Sequence, residues 1–232
     1  NQNRVESTPP RAHLPVLPGW NHSALRWCSK TRLCVEARRR GFNAVLVDMQ
    51  KSLYLKAPYP ETSKELSRYP TRGWLVDTVW EGLSKEGVVD AKWKAFVMGL
   101  STGGRGAVVL GMEHPRVFSG VATLSGDFSP EMSKGDRLMI QALGRFTDFP
   151  DRWRSDCDLR RRAHEMKLPI YIGHGKADRV VPSGQSEAFY QALLTVKSSA
   201  KVTAHFAERR DHSYEYWDSE VVSVLEFFES QL

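Results

Sequence analysis

Six short runs of apolar, β-branched and aromatic residues punctuate the chain: 12–17 (AHLPVL), 43–48 (NAVLVD), 94–100 (KAFVMGL), 119–125 (SGVATLS), 169–173 (PIYIG) and 202–207 (VTAHFA). Most are apolar almost without interruption, the pattern of a strand buried on both faces rather than on one. Between them the period changes to that of a helix, and helices are expected over 23–40, 72–86, 103–113, 183–197 and 217–230. In the first of these Ala24, Trp27, Cys28, Thr31, Cys34, Val35 and Arg38 recur at three- and four-residue spacing, and in the last Val221, Val224, Leu225 and Phe228 do so. Such alternation predicts an α/β fold: a mostly parallel central sheet of about six strands with helices on both faces. Residues 1–11 are polar, contain Pro9-Pro10 and are expected to form a flexible N-terminal arm ahead of a single domain over 12–232. Residues 130–165 depart from the alternation, with short helical pieces around Asp136, Arg145, Phe146 and Trp153, and are expected as a cap-like insertion over the mouth of a pocket.

Composition narrows the classes without choosing among enzymes. The 232 residues suit one domain with a full core. No run of about 18 apolar residues occurs, so no membrane span is expected. The net charge of +6 is concentrated in short clusters, Arg38–Arg40, Arg160–Arg162 and Arg209-Arg210. None is interleaved with aromatics as a single-strand binding groove would be, so solvated helix ends and turns are expected rather than a nucleic-acid surface. Cys28 and Cys34 share the helix expected over 23–40. Six residues of continuous helix rise roughly 9 Å, beyond the ~7 Å reach of a disulfide, so these two and Cys157 are expected as free structural thiols. No metal-ligand spacing stands out, and no cofactor is expected. The chain begins on Asn with no visible signal peptide, compatible with a processed, exported protein or with a shortened one; the expectation leans to export.

The chemistry enters at Ala95-Phe-Val-Met-Gly-Leu-Ser-Thr-Gly-Gly104, where an apolar strand runs straight into Gly99-Leu100-Ser101-Thr102-Gly103 and then into a small-residue helix. G-x-S-x-G between a strand and a helix is the context of a nucleophile elbow. The sharp turn projects the serine hydroxyl out of the sheet, and the flanking glycines avoid collisions that a Cβ would cause. The same turn aims helix N-terminal N–H groups at the place where an oxyanion would form.

A serine hydroxyl needs a base, and the base needs an acid to hold its tautomer. In this architecture they follow the serine in the order acid, then histidine, at later strand ends. Asp178 is the best acid, in His174-Gly-Lys-Ala-Asp178-Arg-Val-Val-Pro182 after the fifth strand; Asp127, after the fourth, is the fallback. His212 is the best base, in a loop between the last strand and the last helix. His205 reads as a satisfied core histidine inside a strand, His114 closes the far end of the elbow helix, and His174 could line the site where the acid loop begins. Asp211 adjoins His212 and would point elsewhere. The oxyanion hole calls for two backbone N–H groups. One is that of Thr102; the other is expected from the loop after the first strand, with Trp20 the first choice and Asn21 the second, because Pro18 has no N–H.

A family resemblance accompanies these residues. The runs Val97-Met-Gly-Leu-Ser-Thr-Gly-Gly-Arg-Gly-Ala107, His114-Pro115-Arg116-Val117-Phe118 and Leu124-Ser125-Gly126 resemble the putative-esterase branch of the α/β-hydrolases, which includes S-formylglutathione hydrolases, feruloyl and acetyl xylan esterases, and mycolyltransferases. His174-Gly175 with Asp178 and Val181-Pro182 is similar to the acid loop of that branch, and Asp211-His212-Ser213-Tyr214 with Trp217 to its histidine loop. The resemblance spans roughly 12–230 and is dense over 94–128, 170–182 and 208–217. It implies the α/β-hydrolase fold and a Ser101–Asp178–His212 triad. Two positions depart from the branch: Pro18-Gly19 stands where His-Gly is usual, and Thr102 where the residue after the nucleophile is usually larger.

The expected activity is hydrolysis of carboxylic esters or thioesters of small molecules through an acyl-Ser101 intermediate. Rival readings are an acyltransferase or peptidase of the same fold, and a non-catalytic binding protein on a hydrolase fold. Trp20, Tyr54, Tyr59, Trp74, Trp153, Tyr214 and Trp217 are aromatic candidates for a pocket wall; no substrate-binding residue is assigned.

Overall fold

The computed structural model describes residues 10–155, 157–196 and 200–232. All but the last two residues of the expected N-terminal arm, and the expected end of the fourth helix at 197, lie outside the described residues.

All six expected strands form: β1 (Ala12–Leu17), β2 (Phe42–Leu46), β3 (Lys94–Leu100), β4 (Gly120–Leu124), β5 (Ile170–Gly175) and β6 (Val202–Ala207). They make one sheet in the order β2-β1-β3-β4-β5-β6, with every pairing parallel. The near-continuous apolar runs follow from this arrangement, since both faces are covered. Along β3 the side chains alternate: Ala95 and Val97 enter one core cluster, and Phe96, Met98 and Leu100 enter the other. Phe96 stacks on Phe228 with ring centroids 4.8 Å apart. Each such side chain, fully buried, contributes about 1.5–3 kcal/mol.

The helices are α1 (Arg26–Lys30), α2 (Leu33–Arg39), α3 (Glu81–Lys85), α4 (Thr102–Glu113), α5 (Arg137–Leu143), α6 (Pro150–Arg154), α7 (Gly184–Thr195) and α8 (Tyr214–Glu229). Before α3 the chain is π-helical over Trp74–Trp80, so the expected helix at 72–86 forms with a wider first half. Residues of α4 and α7 pack in the first core cluster and those of α1, α2 and α8 in the second, one on each face of the sheet. No helix among the described residues is long and apolar enough to cross a membrane.

One expected element is corrected. The helix predicted over 23–40 is broken at Thr31, whose backbone is extended at φ −137° and ψ 165°. Its hydroxyl donates to the Trp27 carbonyl and accepts from the Leu33 amide at 3.2 Å, so a side chain takes over the backbone partners of the interrupted turn. The break brings the Cα atoms of Cys28 and Cys34 to 5.1 Å, and the two are joined in a disulfide. The expectation of free thiols fails here because the rise argument presumed an unbroken helix. Cys157 is buried and takes no part in a disulfide.

Residues 130–165 carry α5, α6 and short 3-10 turns. Their Ala142, Leu143, Trp153 and Cys157 form a third apolar cluster with Leu53, apart from both sheet faces.

Candidate active site

Because every strand runs in the same direction, the segments that follow β1, β3, β4, β5 and β6 all leave from one edge of the sheet. Trp20, Ser101, Asp127, Asp178 and His212 sit in those five segments. Ligands of open parallel sheets bind outside these carboxyl ends.

Ser101 occupies the turn between β3 and α4 with φ 54° and ψ −125°. A left-handed backbone at a non-glycine residue costs about 1–3 kcal/mol and persists where its surroundings over-determine it. The surroundings do so here. The Ser101 amide donates to the Leu124 carbonyl at 2.8 Å, and its carbonyl accepts from the Arg105 amide at 3.1 Å. A Cβ on Gly99 would collide with the Gly103 carbonyl, and one on Gly103 with the carbonyls of Leu17 and Pro18. The two glycines therefore permit the elbow to close and the β1 loop to lie directly on it. Tyr54 donates its hydroxyl to the Pro18 carbonyl at 3.0 Å and fills the space beside Gly106.

The N–H groups at the start of α4 precede the first intrahelical bond and are free of intrahelical partners. Thr102, with its buried hydroxyl, lines a cavity of about 220 Å³ together with Ser101 and Trp20. The Asn21 amide is committed to the Gln50 carbonyl at 2.8 Å, whereas the Trp20 amide has no hydrogen-bond partner among the described residues.

The acid loop is tightly bonded. β5 extends two residues beyond its expected end, so His174 is a buried strand residue rather than part of a loop. Asp178 accepts from the Val180 and Val181 amides on Oδ1, both at 2.9 Å. Its Oδ2 faces His212 Nδ1 at 2.6 Å and His174 Nε2 at 3.2 Å. Burial pushes the Asp178 carboxyl upward, but the hydrogen bonds from His174 and His212 outweigh it and hold the group well below the usual carboxylate range. His174 Nε2 also faces the Val181 carbonyl at 2.8 Å, which can only accept, so Nε2 carries a proton. Its Nδ1 meets the Ser186 hydroxyl at 2.7 Å.

His212 stands at the N-terminal side of α8, whose first turn is capped by Ser213. Its Nδ1 faces a carboxylate and so bears the proton, leaving Nε2 as the acceptor. Its ring packs edge-on against Trp217 at 5.0 Å, and the Trp217 indole N–H is fixed by the Ser125 hydroxyl at 3.1 Å. His212 lines a hollow that adjoins the Ser101 cavity, with Val180 common to both. The Ser101 hydroxyl makes no hydrogen bond among the described residues. Apo hydrogen bonds of this kind commonly tighten only when substrate binds.

The remaining sequence candidates lie apart. His205 is on the edge strand β6 with an exposed side chain bonded to Glu220 at 2.8 Å, not a core histidine as expected, because an edge strand leaves a flank open. His114 caps the far end of α4, and Asp211 is exposed. Of the aromatic candidates, Tyr54, Trp153 and Trp217 are fully buried, and only Trp20 lines the Ser101 cavity.

Two supporting residues escaped the sequence reading. One is His174 as a partner of Asp178, signalled only by their i, i+4 spacing. The other is Arg105, buried on α4, which donates to the Asp127 carbonyl at 3.1 Å and to the Cys157 carbonyl, tying the elbow helix to the segment after β4 and to the segment after α6. Among the described residues no group of three or more His, Cys, Asp or Glu side chains could hold a metal ion.

Strand order, elbow and strand-end placement together define an α/β-hydrolase. The sequence profile of the putative esterase family matches residues 51–228, and the chain belongs to that family: it is a serine hydrolase of the esterase class. Solved structures share the fold at low identity. The S-formylglutathione hydrolase of Agrobacterium tumefaciens is 18% identical, with 97% of this chain and 85% of that one covered at a TM-score of 0.77. MPT51 of Mycobacterium tuberculosis is 14% identical, with 97% and 91% covered at 0.78. A monoacylglycerol lipase of Paleococcus ferrophilus is 18% identical, with 97% of each chain covered at 0.66. No curated protein sequence matches the chain.

Proposed function

We propose that this chain hydrolyses carboxylic esters or thioesters of small molecules through an acyl-Ser101 intermediate, with His212 as base and Asp178 as acid. The observation that carries the reading is the 2.6 Å bond from His212 Nδ1 to a fully hydrogen-bonded Asp178, at the sheet edge where Ser101 occupies its strained elbow.

The steps follow from the donors available. Ser101 Oγ attacks the ester carbonyl carbon while His212 Nε2 takes its proton. Negative charge forms on the carbonyl oxygen, and the Thr102 and Trp20 amides stabilise it. His212 then protonates the departing alcohol or thiol, leaving the acyl group on Ser101. Water, deprotonated by His212, attacks that carbonyl, and Ser101 recovers its proton as the acid leaves. Asp178 holds the imidazole tautomer and stabilises the imidazolium in both halves. The 220 Å³ cavity is smaller than the ~300–1,000 Å³ of pockets for drug-sized ligands, which supports a small acyl or alcohol group.

Initial rates on p-nitrophenyl acetate, butyrate and octanoate, compared with Ser101→Ala, test the proposal. The expected result is turnover that falls by several orders of magnitude in the variant and declines towards octanoate. Equal rates in the two proteins would overturn it.

A further inference from the structure

The cavity beside Ser101 has a polar inventory that can be followed atom by atom. Most of Gln185 is engaged internally: its carbonyl accepts from the Phe128 and Ser129 amides at 3.1 and 2.8 Å, and one of its two amide N–H groups donates to the Ser129 carbonyl at 3.1 Å. The Ser129 hydroxyl bonds Asp158 at 2.9 Å. The Asp136 carboxylate caps α5 through the Met139 amide at 2.9 Å. Around this cavity two buried side-chain atoms have no partner among the described residues, Thr102 Oγ1 and Asp127 Oδ1. Thr102 directly follows the nucleophile, and Asp127 is in the segment that leaves the adjacent strand β4.

An orphaned carboxyl oxygen at such a place is costly unless a partner arrives. Arg105, a buried cation whose charge acts on Asp127, does not supply one: its guanidinium donates to the backbone carbonyls of Asp127 and Cys157. Burial accordingly pushes the Asp127 carboxyl up, with the Arg105 charge opposing it. Much of the remaining wall is apolar, from Trp20, Pro130, Leu138, Met139, Val180 and Pro182. A hydrogen-bond acceptor in an apolar cavity discriminates strongly, because a ligand that cannot pair with it leaves it desolvated and unsatisfied.

We propose that Asp127 is the specificity-determining residue of this cavity, its carboxyl accepting a hydrogen bond from a hydroxyl or ammonium group carried by the ester. The substrates it favours are polar esters with such a donor, over alkyl esters of the same shape. The inference rests on the ester-cleaving reading and narrows its substrate class. It assigns Asp127 a role in binding, distinct from that of Asp178 in proton transfer.

The test is a ratio of kcat/KM values within matched ester pairs, measured on wild type, Asp127→Leu and Asp127→Asn. On the acyl side the pairs are methyl 3-hydroxybutanoate and methyl 3-aminobutanoate, each against methyl 3-methylbutanoate. On the alcohol side the pair is 2-hydroxyethyl butanoate against propyl butanoate. Because each ratio is taken within one protein, partial loss of folded enzyme cancels. The expected result is a wild-type preference of about tenfold or more for the donor-bearing member of at least one pair, abolished or inverted in Asp127→Leu. In Asp127→Asn an ammonium preference falls with the charge, whereas a hydroxyl preference persists, which separates the two donors. Wild-type ratios near one, or ratios unchanged in Asp127→Leu, would overturn the inference while leaving ester hydrolysis standing. Failure of wild type to cleave any of these esters or p-nitrophenyl acetate would overturn the ester-cleaving reading, and this inference with it.

Discussion

Two aspartates leave neighbouring strands at the same edge of the sheet, and their surroundings give them opposite character. Asp178, after β5, is saturated: two backbone amides hold one oxygen, and two histidines hold the other. Its charged form is favoured in spite of burial. Asp127, after β4, has one oxygen buried with no partner, and its charged form is disfavoured. Strand-end position is thus shared, and hydrogen-bond supply makes the difference. A carboxylate stabilised before substrate arrives is suited to orienting an imidazole. One left wanting a donor is suited to recognising the substrate.

The sharpest way to break this contrast is to neutralise each carboxylate with the smallest change. Asp178→Asn is expected to lower kcat/KM on p-nitrophenyl butyrate by about 10⁴-fold, because an amide N–H facing Nδ1 promotes the wrong tautomer. Asp127→Asn is expected to cost far less on the same substrate. If steady-state kinetics show the larger loss at Asp127, the proton-transfer and recognition roles are reversed. A smaller effect probes how the acid loop is saturated. His174→Leu deletes a donor to Asp178 without touching Ser101 or His212, and is expected to lower kcat by roughly 10- to 100-fold through misplacement of the acid. An unaltered kcat in that variant would show that the two amides and His212 hold Asp178 by themselves.

The smallest expected effect is thermodynamic and carries opposite signs. Asp178 has its folded pKa depressed, so its contribution to stability is full above about pH 4 and is lost as pH falls through the folded value. Asp127 has its folded pKa raised, so the stability its protonation contributes is full below about pH 4 and is lost as pH rises through the folded value. Thermal unfolding from pH 3 to pH 8 is expected to show Asp178→Asn losing part of the acid-side slope. Asp127→Asn is expected to gain relative stability towards neutral pH. Slopes of the same sign for both variants would contradict the contrast between the two loops.

A second pair of regions shows what could be read in advance. Over 94–113 the apolar run, the two glycines and the small-residue helix specify the elbow locally, and the structure has β3 and α4 within a residue of the expected bounds. Over 23–40 an equally regular apolar stripe misled, because Thr31 satisfies backbone groups with its own hydroxyl and lets the helix end and restart. Periodicity records which face is buried. It is nearly blind to a one-residue interruption that leaves the same face inward, and the disulfide depended on that interruption. His205 misled for a related reason: strand membership was legible, but its place at the sheet's edge was not.

By itself the sequence determined the strand and helix alternation, the elbow around Ser101 and the order in which Asp178 and His212 follow it. These rest on local steric and hydrophobic rules that act over a few residues. Only the tertiary structure decided the sheet order, the pairing of His174 with Asp178, the commitment of the Asn21 amide to Gln50 and the isolation of Asp127 Oδ1. Each of those depends on which donors and acceptors distant segments bring within about 3 Å of one another, a distance that no local pattern encodes.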